Sequence, residues 1–334
     1  MNILLTVPRG VIRDLYFPES VMKKLRALGN LICNEMEKPY IEEELAERIR
    51  DIDICVTHWF SPFFTKKIVD NANRLRLIAH AAGSVAVLVD QNVYDKGIKV
   101  VSANGIMAQY VAESTLARIL SSLGKVNDYD RRVRDGGWKI GIEEYGVTQS
   151  LFYKKVGFIG FGAVGNHMLK LMHPFQVAAR IYDPYIKDEA LKRFPRTKRC
   201  NSVEEVLGWA DIITIHASQT PETHHLINAE GLKRIRDNAL FVNTARGSLV
   251  NETALLAELL NGRFYAALDV FDPEPPEPDA PIRKLDNVLL SPHIAGTAGR
   301  EELTLGIIGD IERFIKNKHL KYEISGEKYH LMTR

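Results

Sequence analysis

The stretch Val156-Gly157-Phe158-Ile159-Gly160-Phe161-Gly162-Ala163-Val164-Gly165 constrains this chain more than any other. A short apolar run suited to a buried strand leads into three glycines. Met168, Leu169, Leu171 and Met172 follow at helical spacing, and a second apolar run, Ala178 to Tyr182, ends on Asp183. Strand, glycine turn, helix, strand and acid together form the fingerprint of a dinucleotide-binding unit. Gly160 and Gly162 allow a tight turn and close backbone approach to a pyrophosphate, and Gly165 allows the helix to pack closely. The pyrophosphate is expected at the helix N-terminus, where free amides and the dipole favour an anion. Asp183 is expected on the adenosine ribose hydroxyls, repelling a 2′-phosphate, so NAD is favoured over NADP.

The whole chain fits that reading. Its 334 residues suggest two domains. A net charge of +2, from 44 basic and 42 acidic residues without a long block of either sign, argues against a nucleic-acid partner. Cys33, Cys55 and Cys200 show neither metal-like spacing nor an obvious pairing, which suits a reducing compartment and no metal site. The longest apolar run, Leu77 to Val89, is interrupted by His80 and Ser84 and falls short of the ~20 residues a membrane span needs. No basic region precedes the apolar start Ile3-Leu4-Leu5, so a cleaved leader is not expected and a cytoplasmic location is.

The first hundred residues alternate β-like runs with helical patterns. Strands are expected at 3–7, 31–33, 53–56, 75–79 and 98–101, and helices at 19–28 and 42–50. This alternation argues a parallel sheet covered by helices, separate from the fingerprint unit. A long helix then starts at Asn104, carrying Met107, Val111, Leu116, Ile119, Leu120 and Leu123. A polar arm, 127–149, follows as either a mobile loop or a partner-binding extension. Beyond the fingerprint, strands are expected at 211–216, 239–243, 265–269 and 288–290. Ser202-Val203-Glu204-Glu205 reads as a capping box, Asn251 as an N-cap and Gly262 as a helix stop. A final helix, about 300–316, comes late enough to cross back onto the first unit.

Reacting groups in open α/β sheets lie beyond the carboxyl ends of the strands. Those ends carry His216, Asn243-Thr244-Ala245-Arg246-Gly247, Asp269, Glu274 and Ser291-Pro292-His293-Ile294-Ala295-Gly296. An arginine, an acid and a histidine at the nicotinamide edge suit hydride transfer at a 2-oxo or 2-hydroxy acid. Arginine grips a carboxylate bidentately, histidine exchanges a proton near neutral pH, and a neighbouring carboxylate favours the imidazolium.

The three stretches Asn243–Gly247, Ala267–Pro275 and Ser291–Gly296 resemble the signatures of the D-isomer-specific 2-hydroxyacid dehydrogenase family, in order and at family-like spacing. The resemblance implies Arg246 as carboxylate and carbonyl ligand, Glu274 as the acid paired with the histidine, and His293 as proton donor and acceptor. It implies a cofactor site of Gly160, Gly162, Ala163, Val164, Gly165, Asp183, His216, Thr220, Thr244, Ala245, Arg246 and Asp269, with Asp269 near the nicotinamide carboxamide. The substrate loop is expected at Ala82, Gly83 and Ser84. The implied architecture is two Rossmann-like or flavodoxin-like α/β domains with the active site in the cleft between them. One, of residues 1–103 plus 296–334, would bind substrate, and the other, 104–295, would bind NAD. A homodimer is expected, joined through the cofactor domain and its arm at about 125–150.

Some positions depart from the family pattern. Ser218 stands where many members have proline, and the substrate loop lacks the Asp or Asn often found after its glycine. The regulatory domain of some phosphoglycerate dehydrogenases is not expected, since the sequence stops soon after the last helix. Glu274 argues against a formate dehydrogenase, which normally has glutamine there. The C-terminal-binding corepressors share the fold and the Arg/Glu/His set and give the alternative, an NAD(H)-sensing binding protein. That alternative would need a peptide groove on the substrate domain, of which the sequence shows no sign.

Overall fold

Short apolar runs separated by helices leave parallel pairing as the way to bury both faces of each strand. In this computed structural model, residues 1–138 and 148–333 are described, and the chain divides into two compact units. One comprises Met1–Ala108 and Thr297–Arg334, the other Gln109–Gly296.

The first unit holds a parallel sheet of β1 (Asn2–Leu5), β2 (Asn30–Cys33), β3 (Ile54–Thr57), β4 (Leu77–His80) and β5 (Lys99–Ser102). Its order is β2-β1-β3-β4-β5, the flavodoxin-like winding. Leu4, Cys55, Ile78 and Val100 face one apolar layer. The late helix Arg300–Ile315 packs against β4 and β5 and buries Leu303, Ile307, Ile308 and Ile311. Thr304 Oγ1 fastens it to the N-terminal segment by donating to Tyr16 O at 2.7 Å.

The second unit holds β6 (Lys155–Ile159), β7 (Ala178–Tyr182), β8 (Thr197–Arg199), β9 (Ile212–Ile215), β10 (Leu240–Asn243), β11 (Tyr265–Leu268) and β12 (Val288–Leu290). They run in the order β12-β11-β10-β9-β6-β7-β8, all parallel. Side-chain alternation sorts the strands into two layers. Ile213, Ile215, Phe241, Ala266 and Leu268 face one, and Ile212, Leu240, Val242 and Ala267 the other. Connection direction reverses between β6 and β9, and a ligand crevice lies outside the strand ends at such a point.

Several local expectations resolve into finer detail. The helix expected at 19–28 spans Glu19–Leu28, and that at 42–50 ends at Arg48 before a 3-10 turn. Ser202 Oγ accepts from Glu205 N at 3.3 Å, which forms one half of the expected capping box. Asn251 Oδ1 accepts from Ala254 N at 2.9 Å, and Gly262 closes that helix at φ +68°. Strand β8 is an addition: Thr-Lys-Arg on a sheet edge carries no apolar alternation to announce it. The expected arm begins as a helix, Val126–Arg134, with no buried residue, and residues 139–147 lie outside those described.

Among the described residues no helix is long and apolar enough to cross a membrane, and no cluster of three or more His, Cys, Asp or Glu could hold a metal ion. The three cysteines are free.

Candidate active site

The end of β6 is shaped for a dinucleotide by what surrounds its glycines. Gly160 sits at φ +82°, and a Cβ there would fall 2.4 Å from Ala217 N, so a side chain is excluded on both counts. A Cβ at Gly162 would meet nothing within 4 Å, which leaves the approach to the helix open. Helix Ala163–Met172 has no side-chain cap, so its first amides are left for an anion. Gly165 is tight, its missing Cβ lying 3.1 Å from the Phe161 ring and 3.2 Å from Gly160 O. These features fit a pyrophosphate, and Ala163 and Val164 would hold it by their amides.

Asp183 follows β7 and ties the turn together, Oδ2 accepting from Phe161 N at 2.6 Å and Oδ1 from Tyr185 N at 2.8 Å. Each carboxylate oxygen keeps a lone pair for a ribose hydroxyl. Asp183→Ser should therefore weaken NADH binding on the order of tenfold, the worth of a charge-assisted hydrogen bond, and relax discrimination against NADPH. Loosening of the turn would affect both cofactors alike, so the ratio of the two dissociation constants is the measurement. An unchanged ratio would leave Asp183 a turn residue only.

Beyond β9, His216 donates its amide to Ile159 O at 2.7 Å and shares a 3.0 Å contact between Nε2 and Thr214 Oγ1. Burial beside Phe158 pushes its imidazole down to about 3, so the ring is neutral. Thr220 opens the next turn, its amide donating to Thr223 Oγ1 at 2.8 Å.

The loop after β10 is folded by Asn243. Its Oδ1 accepts from Ala245 N at 3.0 Å, and its Nδ2 donates to Arg246 O at 2.8 Å. Thr244 Oγ1 lies 2.8 Å from Thr115 Oγ1. The Arg246 guanidinium donates through Nη1 to Ala245 O at 2.6 Å and, among the described residues, forms no ion pair. Burial lowers its pKa from the ordinary value, with Glu274 pulling the other way. A guanidinium cannot shed its proton, so the result is a desolvated cation without a bonded counter-charge. Gly247 explains how this loop meets the next, since a Cβ there would lie 2.1 Å from the Phe271 carbonyl group.

That next loop carries Glu274. Asp272 N donates to Glu252 Oε2 at 2.5 Å, and burial together with Asp272 and Glu274 raises the Glu252 pKa. Glu274 Oε1 lies 2.6 Å from His293 Nδ1, both side chains remaining partly exposed. His293 adopts φ +51°, a left-handed conformation that histidine tolerates better than most residues. Its amide donates to Asp269 O at 2.8 Å. Asp269, fully buried, accepts from Arg118 Nη2 at 2.6 Å, Ser291 Oγ at 2.6 Å, Ile294 N at 3.2 Å and Ala295 N at 2.8 Å.

In the first unit the loop of Ala82, Gly83 and Ser84 follows β4. Ser102 Oγ donates to Gly83 O at 2.5 Å and Ser84 Oγ to Thr333 O at 2.5 Å. Among the described residues no acceptor meets the amides of Ala82, Gly83 and Ser84.

The second unit thus brings Arg246, Glu274, His293 and Asp269 to loops beyond the carboxyl ends of β10, β11 and β12, on the same edge of the parallel sheet as the glycine turn. Arg118 and Thr115, which tie these loops to a helix, escape the sequence reading. A family model described as the D-isomer specific 2-hydroxyacid dehydrogenase, NAD binding domain, matches residues 116–295. The chain belongs to the D-isomer specific 2-hydroxyacid dehydrogenase family. NAD is the cofactor its fingerprint serves. A glyoxylate reductase of Thermofilum pendens is 31% identical over 83% of this chain and 82% of its own length. A D-3-phosphoglycerate dehydrogenase of Methanocaldococcus jannaschii is 32% identical over 87% of the chain but only 54% of its own length. The chain spans about half the length of curated D-3-phosphoglycerate dehydrogenases that it matches. The crystal structure of the TT0316 protein from Thermus thermophilus superposes with a TM-score of 0.78 at 27% identity, over 97% of this chain and 100% of that one.

Proposed function

We propose that this protein is an NAD-dependent dehydrogenase interconverting a small 2-oxo acid and its D-2-hydroxy acid. The unit of Gln109–Gly296 serves the cofactor and that of Met1–Ala108 with Thr297–Arg334 serves the substrate. The observation that carries the reading is Arg246, a desolvated cation that forms no ion pair among the described residues, in electrostatic reach of a hydrogen-bonded glutamate–histidine pair. Such a cation wants an anion, and a planar fork suits the carboxylate of an oxo acid while polarising the adjacent carbonyl.

NADH supplies the hydride when bound. His293 then supplies the proton. Its Nδ1 is committed to Glu274, so Nε2 is the end that gives a proton to the carbonyl oxygen and recovers one from solvent. Glu274 fixes this orientation. Asp183 directs the choice of NAD, and the backbone of Thr244–Arg246 lines the cofactor.

NADH oxidation measured over glyoxylate, hydroxypyruvate, pyruvate, branched and aromatic 2-oxo acids tests the reading. Turnover is expected on at least one, with a D-configured product. NADH binding without turnover on any of them would overturn it.

A further inference from the structure

The Asn104–Leu123 helix touches both loops of the proposed site through one face. Thr115 and Arg118, three residues apart and so neighbours on the helix surface, reach Thr244 and Asp269 respectively. All five N–H donors of Arg118 are used. Nε donates to Ser291 Oγ at 2.9 Å, and Nη2 to Asp269 Oδ1 at 2.6 Å and Ser291 Oγ at 2.7 Å. Nη1 donates to Ser114 O at 3.0 Å and to Ser114 Oγ. Ser291 Oγ, which accepts from the arginine, donates its own O–H to Asp269 Oδ1 at 2.6 Å.

The acid at the centre is wholly buried, and its partner arginine nearly so, at 0% and 11% side-chain exposure. Asp269 in turn holds the amides of Ile294 and Ala295 through its side chain and that of His293 through its carbonyl. The histidine's left-handed backbone, at φ +51°, therefore sits inside a loop held from both sides. Arg118 makes no bond to His293, Glu274 or Arg246.

We infer that Arg118 is a positioning residue for the reaction: through Asp269 and Ser291 it fixes the 291–295 loop so that His293 meets Glu274 and aims Nε2 at the substrate. This rests on the function proposed above. It assigns Asp269 a job within the chain, since both of its carboxylate oxygens are engaged by the protein's own donors. Lysine would keep the charge but could not bridge Ser114, Asp269 and Ser291 at once.

Displacing a reacting group by about 1 Å can cost roughly 10²-fold in rate. Arg118→Lys should lower kcat about 10- to 100-fold while KM for the oxo acid and the NADH dissociation constant stay within about twofold. In the cofactor-free protein, the downfield proton NMR signal of the Glu274-bound His293 Nδ1–H should weaken or vanish.

A purely structural role, neutralising a buried acid, predicts something else. The double variant Arg118→Met with Asp269→Asn removes the buried charge altogether. If neutralisation were the whole role, its Tm and kcat would recover together, and that result would overturn the inference. The expected outcome is a recovered Tm and an NADH dissociation constant within about twofold, with kcat still at least about tenfold low and the Nδ1–H signal still lost. An Arg118→Lys protein with normal kcat and an intact Nδ1–H signal would overturn it as well. Should the unaltered protein reduce no 2-oxo acid, the proposed function fails, and the NMR signal alone still decides whether Arg118 sets the histidine.

Discussion

Replacing His293 by alanine should lower kcat for 2-oxo acid reduction by about 10²–10⁴-fold, the usual worth of a general acid, with NADH affinity nearly unchanged. The ring lies partly exposed at the strand ends with Nδ1 on Glu274, and nothing in its contacts suggests a packing role. A loss below about tenfold with the same pH dependence would make it structural. The partner acid gives a second readout. Glu274 Oε1 lies 2.6 Å from Nδ1 and so orients the ring. Glu274→Gln keeps the shape but replaces a charge-assisted hydrogen bond by a weaker neutral one. kcat for reduction should then fall about tenfold, the equivalent of about 1.4 kcal/mol, with NADH affinity unchanged. An unchanged kcat would remove Glu274 from the mechanism.

How much of this was legible in the sequence depends on whether the signal is local. The glycine turn is, because Gly160 answers to a backbone angle and Asp183 ends the strand beside it. Strand ends are local too, so reading His216, Asn243–Gly247, Asp269 and Ser291–Gly296 off the ends of apolar runs found the loops the fold gathers. Strand β8 was illegible because three polar edge residues carry no periodicity. Arg118 was illegible for a deeper reason. The helix was recognised by Met107, Val111, Leu116, Ile119, Leu120 and Leu123, and an arginine among them reads as a solvated side chain. Its partners, Asp269 and Ser291, lie more than 150 residues away, and only the fold brings them together. A polar residue on the buried side of a helical stripe was the one available clue. Gly247 is similar: its role is visible only once Phe271 is seen to occupy the space of its missing Cβ.

Arg246 is the residue on which the choice of substrate chemistry turns. Arg246→Lys should raise KM for the oxo acid and lower kcat, reducing kcat/KM roughly 10- to 100-fold. That is the effect of losing one hydrogen bond to a charged group, about 1.5–3 kcal/mol. Lysine preserves the charge, so a site needing only a cation would tolerate it, whereas one needing two parallel donors would not. The guanidinium is already oriented by its bond to Ala245 O, at 2.6 Å, and by a loop that Asn243 folds around it. That orientation is lost when a flexible ammonium replaces a planar fork. The cofactor is expected to meet the backbone of Thr244–Arg246 rather than the guanidinium, so NADH affinity should barely move. A variant with unchanged kcat/KM would show that the half-buried cation serves the loop and not the substrate. A fall in NADH affinity matching the fall in kcat/KM would assign the guanidinium to the cofactor instead.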